Sequence, residues 1–198
     1  LLLNVFSKKK IDISILIWLL PPFRQLKGGY FLYFLILGYS DPLTIFLSWL
    51  FRFNPIYTHL VINFFLSLTI LFIYNKNLNP KWIIALALLL IFSLWLGGTK
   101  TLFIPIIIFR SLIILQLFIS SANEFLLKQR INLYFPVLIF YEVTIVLKYV
   151  ALGFNYSIGI YFYYLTTAFE MLICLYFIFY NLQNSPLIKV PFSFAEPE

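Results

Sequence analysis

Five charged residues fall inside long apolar runs: Asp41, Arg110, Glu142, Lys148 and Glu170. A lone ionised group at mid-bilayer costs about 3 kcal/mol or more, so residues of this kind face a bundle interior, a water-filled path or a charged partner. Glu142 stands near the middle of Ile131–Leu152, and Glu170 near the middle of Tyr156–Tyr180. Asp41 lies centrally in Tyr30–Leu50. At 1.5 Å per residue the three acids sit within roughly 3 Å of their span centres, and Arg110 and Lys148 lie roughly 6–9 Å further out. The chemistry this permits is binding of a proton or cation by carboxylates with basic counter-charges, or pairing between helices.

Helical spacing groups the neighbours. Thr166, Thr167, Glu170 and Cys174 share one face with Tyr163, and Lys148 shares another with Tyr141 and Thr144. Glu142 lies about 120° from Lys148, so these two serve different neighbours. Arg110, Ser121 and Glu124 also share a face. His59, beside Thr58, reads first as a polar residue near a span end, ahead of a metal or catalytic role. With one histidine and one cysteine, Cys174, the chain has no zinc spacing and no intrachain disulfide. Gly97-Gly98-Thr99-Lys100 is a turn rather than a phosphate loop, and no His-Glu-x-x-His or Gly-x-Ser-x-Gly occurs. The expectation is therefore no catalytic residues, no metal and no cofactor.

The elements that must hold these residues are membrane spans. Hydrophobic residues make up 63% of the chain and charged ones 11%, against roughly 45–50% and 25% in soluble domains. The net charge of +7 sets fourteen Lys and Arg, spread between apolar runs, against seven Asp and Glu. A nucleic-acid footprint would cluster them on one face, so nucleic acid is excluded as a partner.

Taken in order, Ile11–Leu20 is too short to span, and it is flanked by Lys8–Lys10, Arg24 and Lys27. It reads as an interfacial helix with Trp18 as anchor. A cleaved signal is disfavoured by Asp12 and by Pro21-Pro22-Phe23-Arg24, which offers no small-residue cleavage site. Tyr30–Leu50 is interrupted by Ser40-Asp41-Pro42, which predicts either two half-helices or one kinked helix. Ile56–Tyr74 follows Asn54-Pro55, and Trp82–Leu96 follows Asn79-Pro80; each Asn-Pro is a helix start. Gly97-Gly98 stops the latter run, and Leu102–Leu127 and the two acid-bearing runs complete the set. Asn181–Glu198 reads as a poorly ordered polar tail.

The expected fold is an all-α polytopic transmembrane bundle of about six spans, range about six to eight, with one short N-terminal interfacial helix. Residues 1–28 form the N-terminal segment, 29–180 the bundle and 181–198 the tail. Loops alternate between two sides. One receives Lys8, Lys9, Lys10, Arg24, Lys27, Lys76, Lys81, Lys128, Arg130 and Lys189; the other receives Arg52 and Lys100. Ten against two puts both termini in the cytoplasm by the positive-inside rule. Trp49, Trp95 and Tyr57 mark the outer ends, and Trp82, Tyr74 and Tyr134 the inner ones. The layout is similar to that of many small bacterial inner-membrane proteins.

The leading functional expectation is a small transporter or ion- or proton-conducting component, with Asp41, Glu142 and Glu170 as binding groups and Arg110 and Lys148 as counter-charges. The alternative is a non-enzymatic sensor or accessory subunit whose charges pair with its own helices, a partner membrane subunit or a second copy.

Overall fold

The computed structural model describes residues 15–26, 28–52, 54–75, 79–98, 100–154 and 160–189. Expectations for Lys8–Lys10, for the loop around Lys76 and for the tail beyond Lys189 lie outside these residues. The described elements are α1 (Pro21–Gln25), α2 (Phe31–Phe51), α3 (Pro55–Tyr74), α4 (Pro80–Leu96), α5 (Phe103–Lys128), β1 (Arg130–Asn132), α6 (Tyr134–Gly153), α7 (Ile160–Phe179) and β2 (Leu187–Lys189). α2, α3, α5 and α6 are long and apolar enough to cross a membrane, and α4 and α7 contribute the shorter apolar stretches Pro80–Trp95 and Tyr164–Phe179. The fold is an all-α helical membrane bundle.

Local chemistry sets the helix ends. Asn54 Oδ1 accepts from Ile56 N at 3.1 Å and Asn79 Oδ1 from Lys81 N at 3.0 Å, with Pro55 and Pro80 in the first turns. Each side chain satisfies an N–H that the helix itself leaves unpaired. Gly97 closes α4 with φ +67°, the left-handed conformation that glycine adopts without steric cost.

Successive helices run antiparallel, which gathers their ends. The rings of Tyr30, Tyr74 and Tyr134 meet at one end, with Tyr30 at 6.2 Å from Tyr74 and 5.1 Å from Tyr134. At the other end Tyr57 Oη donates to Gly97 O at 3.5 Å, and Gly153 packs on Phe103. Two apolar clusters fill the bundle. Tyr33, Phe34, Leu66, Tyr134, Leu138 and Phe177 lie towards the Tyr30 end; Ile56, Leu60, Leu102, Ile106 and Phe109 lie towards the Gly97 end. Trp49, Trp82 and Trp95 are exposed on the outside of the bundle.

Three expectations differ from the structure. The first is the half-helix alternative at Ser40-Asp41-Pro42: α2 is a single helix with Pro42 inside it, as the other alternative had it. Stopping and restarting a helix inside a bilayer would free several N–H and C=O groups, whereas passing through a proline forfeits one bond. The second is Trp18, expected as an interfacial anchor. Its ring lies 4.9 Å from that of Tyr141 near the middle of α6, so residues 15–20 enter the bundle. Only residues 15–20 of that apolar run are described. The third is the tail. Residues 187–189 form β2, antiparallel to β1, with Arg130 opposite Lys189 and Asn132 opposite Leu187. Asn132 Nδ2 donates to Leu182 O at 3.0 Å, and Leu133 N donates to Pro186 O at 3.1 Å. These bonds fold residues 181–189 onto the end of the bundle.

Candidate functional site

The centre of the bundle is a charge network built from four helices. Arg110 of α5 donates from Nη1 to both carboxylate oxygens of Glu142 on α6, each at 2.8 Å. Its Nε donates to Asn63 Oδ1 on α3, and Tyr33 of α2 donates its hydroxyl to Glu142 Oε1. Side-chain exposure is 5% for Arg110 and 0% for Glu142, so the pair is buried inside the bundle. Ser67 Oγ, one turn on from Asn63, ties α3 to α5 by donating at 2.9 Å to the carbonyl of Phe109, the residue before Arg110. Every polar atom of this carboxylate has a partner, which is the condition under which a buried ion pair is tolerated.

A second pair joins α6 to α7. Lys148 Nζ donates to Glu170 Oε2 at 2.7 Å, with side-chain exposures of 18% and 13%. Glu170 Oε1 is buried and has no hydrogen-bond partner among the described residues. Glu142 and Lys148 thus take different partners, as their separation around α6 requires. Glu124 pairs with Lys128 four residues on, at 2.8 Å, rather than with Arg110.

Asp41 stands apart. It is exposed on α2 and makes no ion pair among the described residues. It lines a cavity of about 100 Å³ with Ser40, His59, Arg110, Tyr141, Tyr149 and Glu170, closed on its other walls by Trp18, Leu37, Ile62 and Ile145. Carboxylates, an imidazole, a guanidinium and hydroxyls from α2, α3, α5, α6 and α7 therefore converge on one space. It reaches from the middle of α6 at Tyr141 to His59, about 6 Å below the first residue of α3.

The remaining singled-out residues are peripheral to this cavity. Thr166 is buried, with Oγ1 on Phe162 O at 2.8 Å, and Thr167 is half-buried on the same helix. Cys174 is buried, and its Sγ lies 3.4 Å from Ile17 O. Among the described residues no group of three His, Cys, Asp or Glu is placed to hold a metal ion.

Sequence reasoning missed Asn63, Tyr33 and Ser40 as members of the network and the cavity. Asn63 was the most legible of them, since an amide inside an apolar run needs a partner. Tyr33 and Ser40 carry no such mark, because tyrosine and serine fit a span without one.

These features define the class, a helical membrane bundle with a polar centre. No family model matches the chain, and no curated protein or solved structure matches it either.

Proposed function

We propose that this protein conducts or transports protons or small monovalent cations across a membrane, with Asp41 as the principal binding group. The observation that carries the reading is a charge count around one cavity. Three acids lie at mid-span, and two of them are already held, Glu142 by Arg110 and Glu170 by Lys148. Asp41 is left as one uncompensated negative charge facing the cavity. An unpaired carboxylate at this depth is stabilised by a proton, a cation or water. A space of about 100 Å³ is roomy enough for several waters, which suits a hydrated proton or small cation.

Roles within the network divide. The fully bonded Glu142 acts as a structural lock, which changes its expected role from binding to positioning. Glu170, with one free oxygen, and His59 are the exchange partners for Asp41. The surplus of Lys and Arg at the Tyr30 end supports a cytoplasmic position for that end and for both termini, in a bacterial inner membrane. The cavity then reaches towards the outer face.

The test is flux in proteoliposomes under an imposed pH gradient. Asp41→Asn should lower the rate at least tenfold while the purified protein stays folded. Wild-type flux at the level of empty vesicles, or unchanged flux in Asp41→Asn, refutes the proposal.

A second reading, an accessory subunit, draws on the exposure of Asp41. A partner helix carrying Lys or Arg could cover it. Under that reading Asp41→Asn abolishes co-purification of the partner and leaves no flux to lose.

A further inference from the structure

We propose that residues 15–20 form a movable wedge that gates the Tyr30 side of the cavity, an inference about regulation that rests on the conduction reading above. Three contacts place the wedge. The Trp18 ring packs on Tyr141 at 4.9 Å and supplies part of the cavity wall. The backbone at Trp18 presses on Gly38 of α2 so closely that a β-carbon there would stand 2.5 Å from the Trp18 carbonyl oxygen. On the far side Cys174 of α7 meets Ile17 O at 3.4 Å. The wedge therefore occupies the seam between α2 and α7, beside the cavity. Below it the Phe34 and Phe177 rings meet at 4.8 Å across the same seam.

What holds the wedge differs from what holds α1. Leu19 N and Leu20 N bond back to Leu16 O and Ile17 O, inside the wedge itself. Among the described residues its polar contacts beyond itself include Phe23 N of α1 to Leu20 O at 3.1 Å and the weak one from the Cys174 thiol. α1 is pinned instead. Gln25 Nε2 donates to Phe177 O at 3.2 Å and Tyr180 O at 2.9 Å, its Oε1 accepts from Tyr134 Oη at 3.2 Å, and Arg24 Nε donates to Phe179 O at 3.2 Å. Pro21 and Pro22 open α1 directly after the wedge, and neither has an N–H to bond back into it. A segment seated mainly by packing, beside an anchor that Arg24 and Gln25 hold separately, can leave its seat without breaking the anchor. Its departure, with parting of the Phe34 and Phe177 rings below it, opens the seam between α2 and α7 to water on the Tyr30 side of Asp41.

The test uses the full chain in vesicles. Ile17→Cys, joined to the native Cys174 by oxidation or a short bifunctional thiol reagent, locks the wedge. Flux should fall at least tenfold, and reduction of the disulfide should restore it. Gly38→Ala unseats the wedge and should raise flux several-fold. Independently of flux, Ser40→Cys in a Cys174→Ser background should react with an impermeant thiol reagent applied from the Tyr30 side only when Gly38→Ala is also present. The proposal falls if the cross-linked protein conducts like the reduced one, or if Ser40→Cys reacts equally with and without Gly38→Ala. The two readings fail separately. If Asp41→Asn blocks flux but locking and unseating change nothing, the wedge is wrong and conduction stands. If no protein conducts but the labelling difference is seen, the wedge stands and conduction is wrong.

Discussion

Glu142 and Arg110 answer each other's charge, the carboxylate fully buried and the guanidinium meeting only the small central cavity. Removing one partner leaves the other charge buried and unanswered, which costs about 3–5 kcal/mol. Glu142→Gln and Arg110→Met should each lower stability by roughly that amount, read as thermal or denaturant unfolding in detergent. The double variant Arg110→Met with Glu142→Leu should recover most of the loss, since two apolar side chains of similar volume leave no stranded charge. Equal damage in the single and double variants would show that the four-helix network acts through its shape alone. The existence of these charges was legible in the sequence, because an acid inside a 20-residue apolar run stands out on composition. Their pairing was not. It depends on how far each helix is rotated, and in a span that is apolar on every side the pattern carries no rotational signal. Asp41, Glu142 and Glu170 looked alike in sequence; only their neighbours distinguish a locked acid, a half-held acid and an unpaired one.

At the scale of elements, the parts that depend on near neighbours followed the sequence closely. The Asn54 and Asn79 caps and the Gly97 stop involve residues within two or three positions, so their chemistry is written locally. The N-terminal wedge was misplaced because its seat is made by Gly38, a residue of another helix that lacks a side chain. A small residue in a span lets another backbone approach closely, and Gly38 was the available hint. α1 has a larger structural duty than its five residues suggest. Arg24 and Gln25 donate to the last carbonyls of α7, which have no partner within that helix. Gln25→Ala should cost about 2 kcal/mol, as three bonds of a buried amide are lost at about 0.5–1.5 kcal/mol each with partial rescue by water. Gln25→Glu keeps the size but turns a donor into an acceptor facing carbonyls, so it should be worse than Ala. Thermal unfolding of the two variants side by side checks the order, and Glu matching or exceeding Gln would show that the amide donates nothing that matters.

For the whole molecule, sidedness reduces to a single choice. β2 pairs with β1, which ties Lys189 to Arg130, and α1 caps α7, which ties Arg24 to the same end. Lys128 ends α5 there and Lys81 begins α4 there. Arg52 and Lys100 lie at the opposite end, after α2 and before α5. Arg130 and Lys189 face one another in register and are both exposed, an unfavourable juxtaposition on its own. An anionic leaflet offsets it, since each Lys or Arg near such a surface gains about 1 kcal/mol. On this ground we propose that the Tyr30 end lies at the cytoplasmic face. In a Cys174→Ser background, a cysteine replacing Lys128 or Lys189 should resist an impermeant thiol reagent in intact cells and react once the cells are opened. A cysteine replacing Lys100 should react in intact cells. The two sets must move together, because β1, β2 and α1 bind their end into one body; labelling of Lys128→Cys but not Lys189→Cys in sealed cells would contradict the strand pairing itself. Labelling of both, with Lys100→Cys protected, would invert the molecule. The direction of the proposed path would invert with it. His59 and the Asp41 cavity would then reach towards the cytoplasm, and the wedge at Trp18 would guard the outer side.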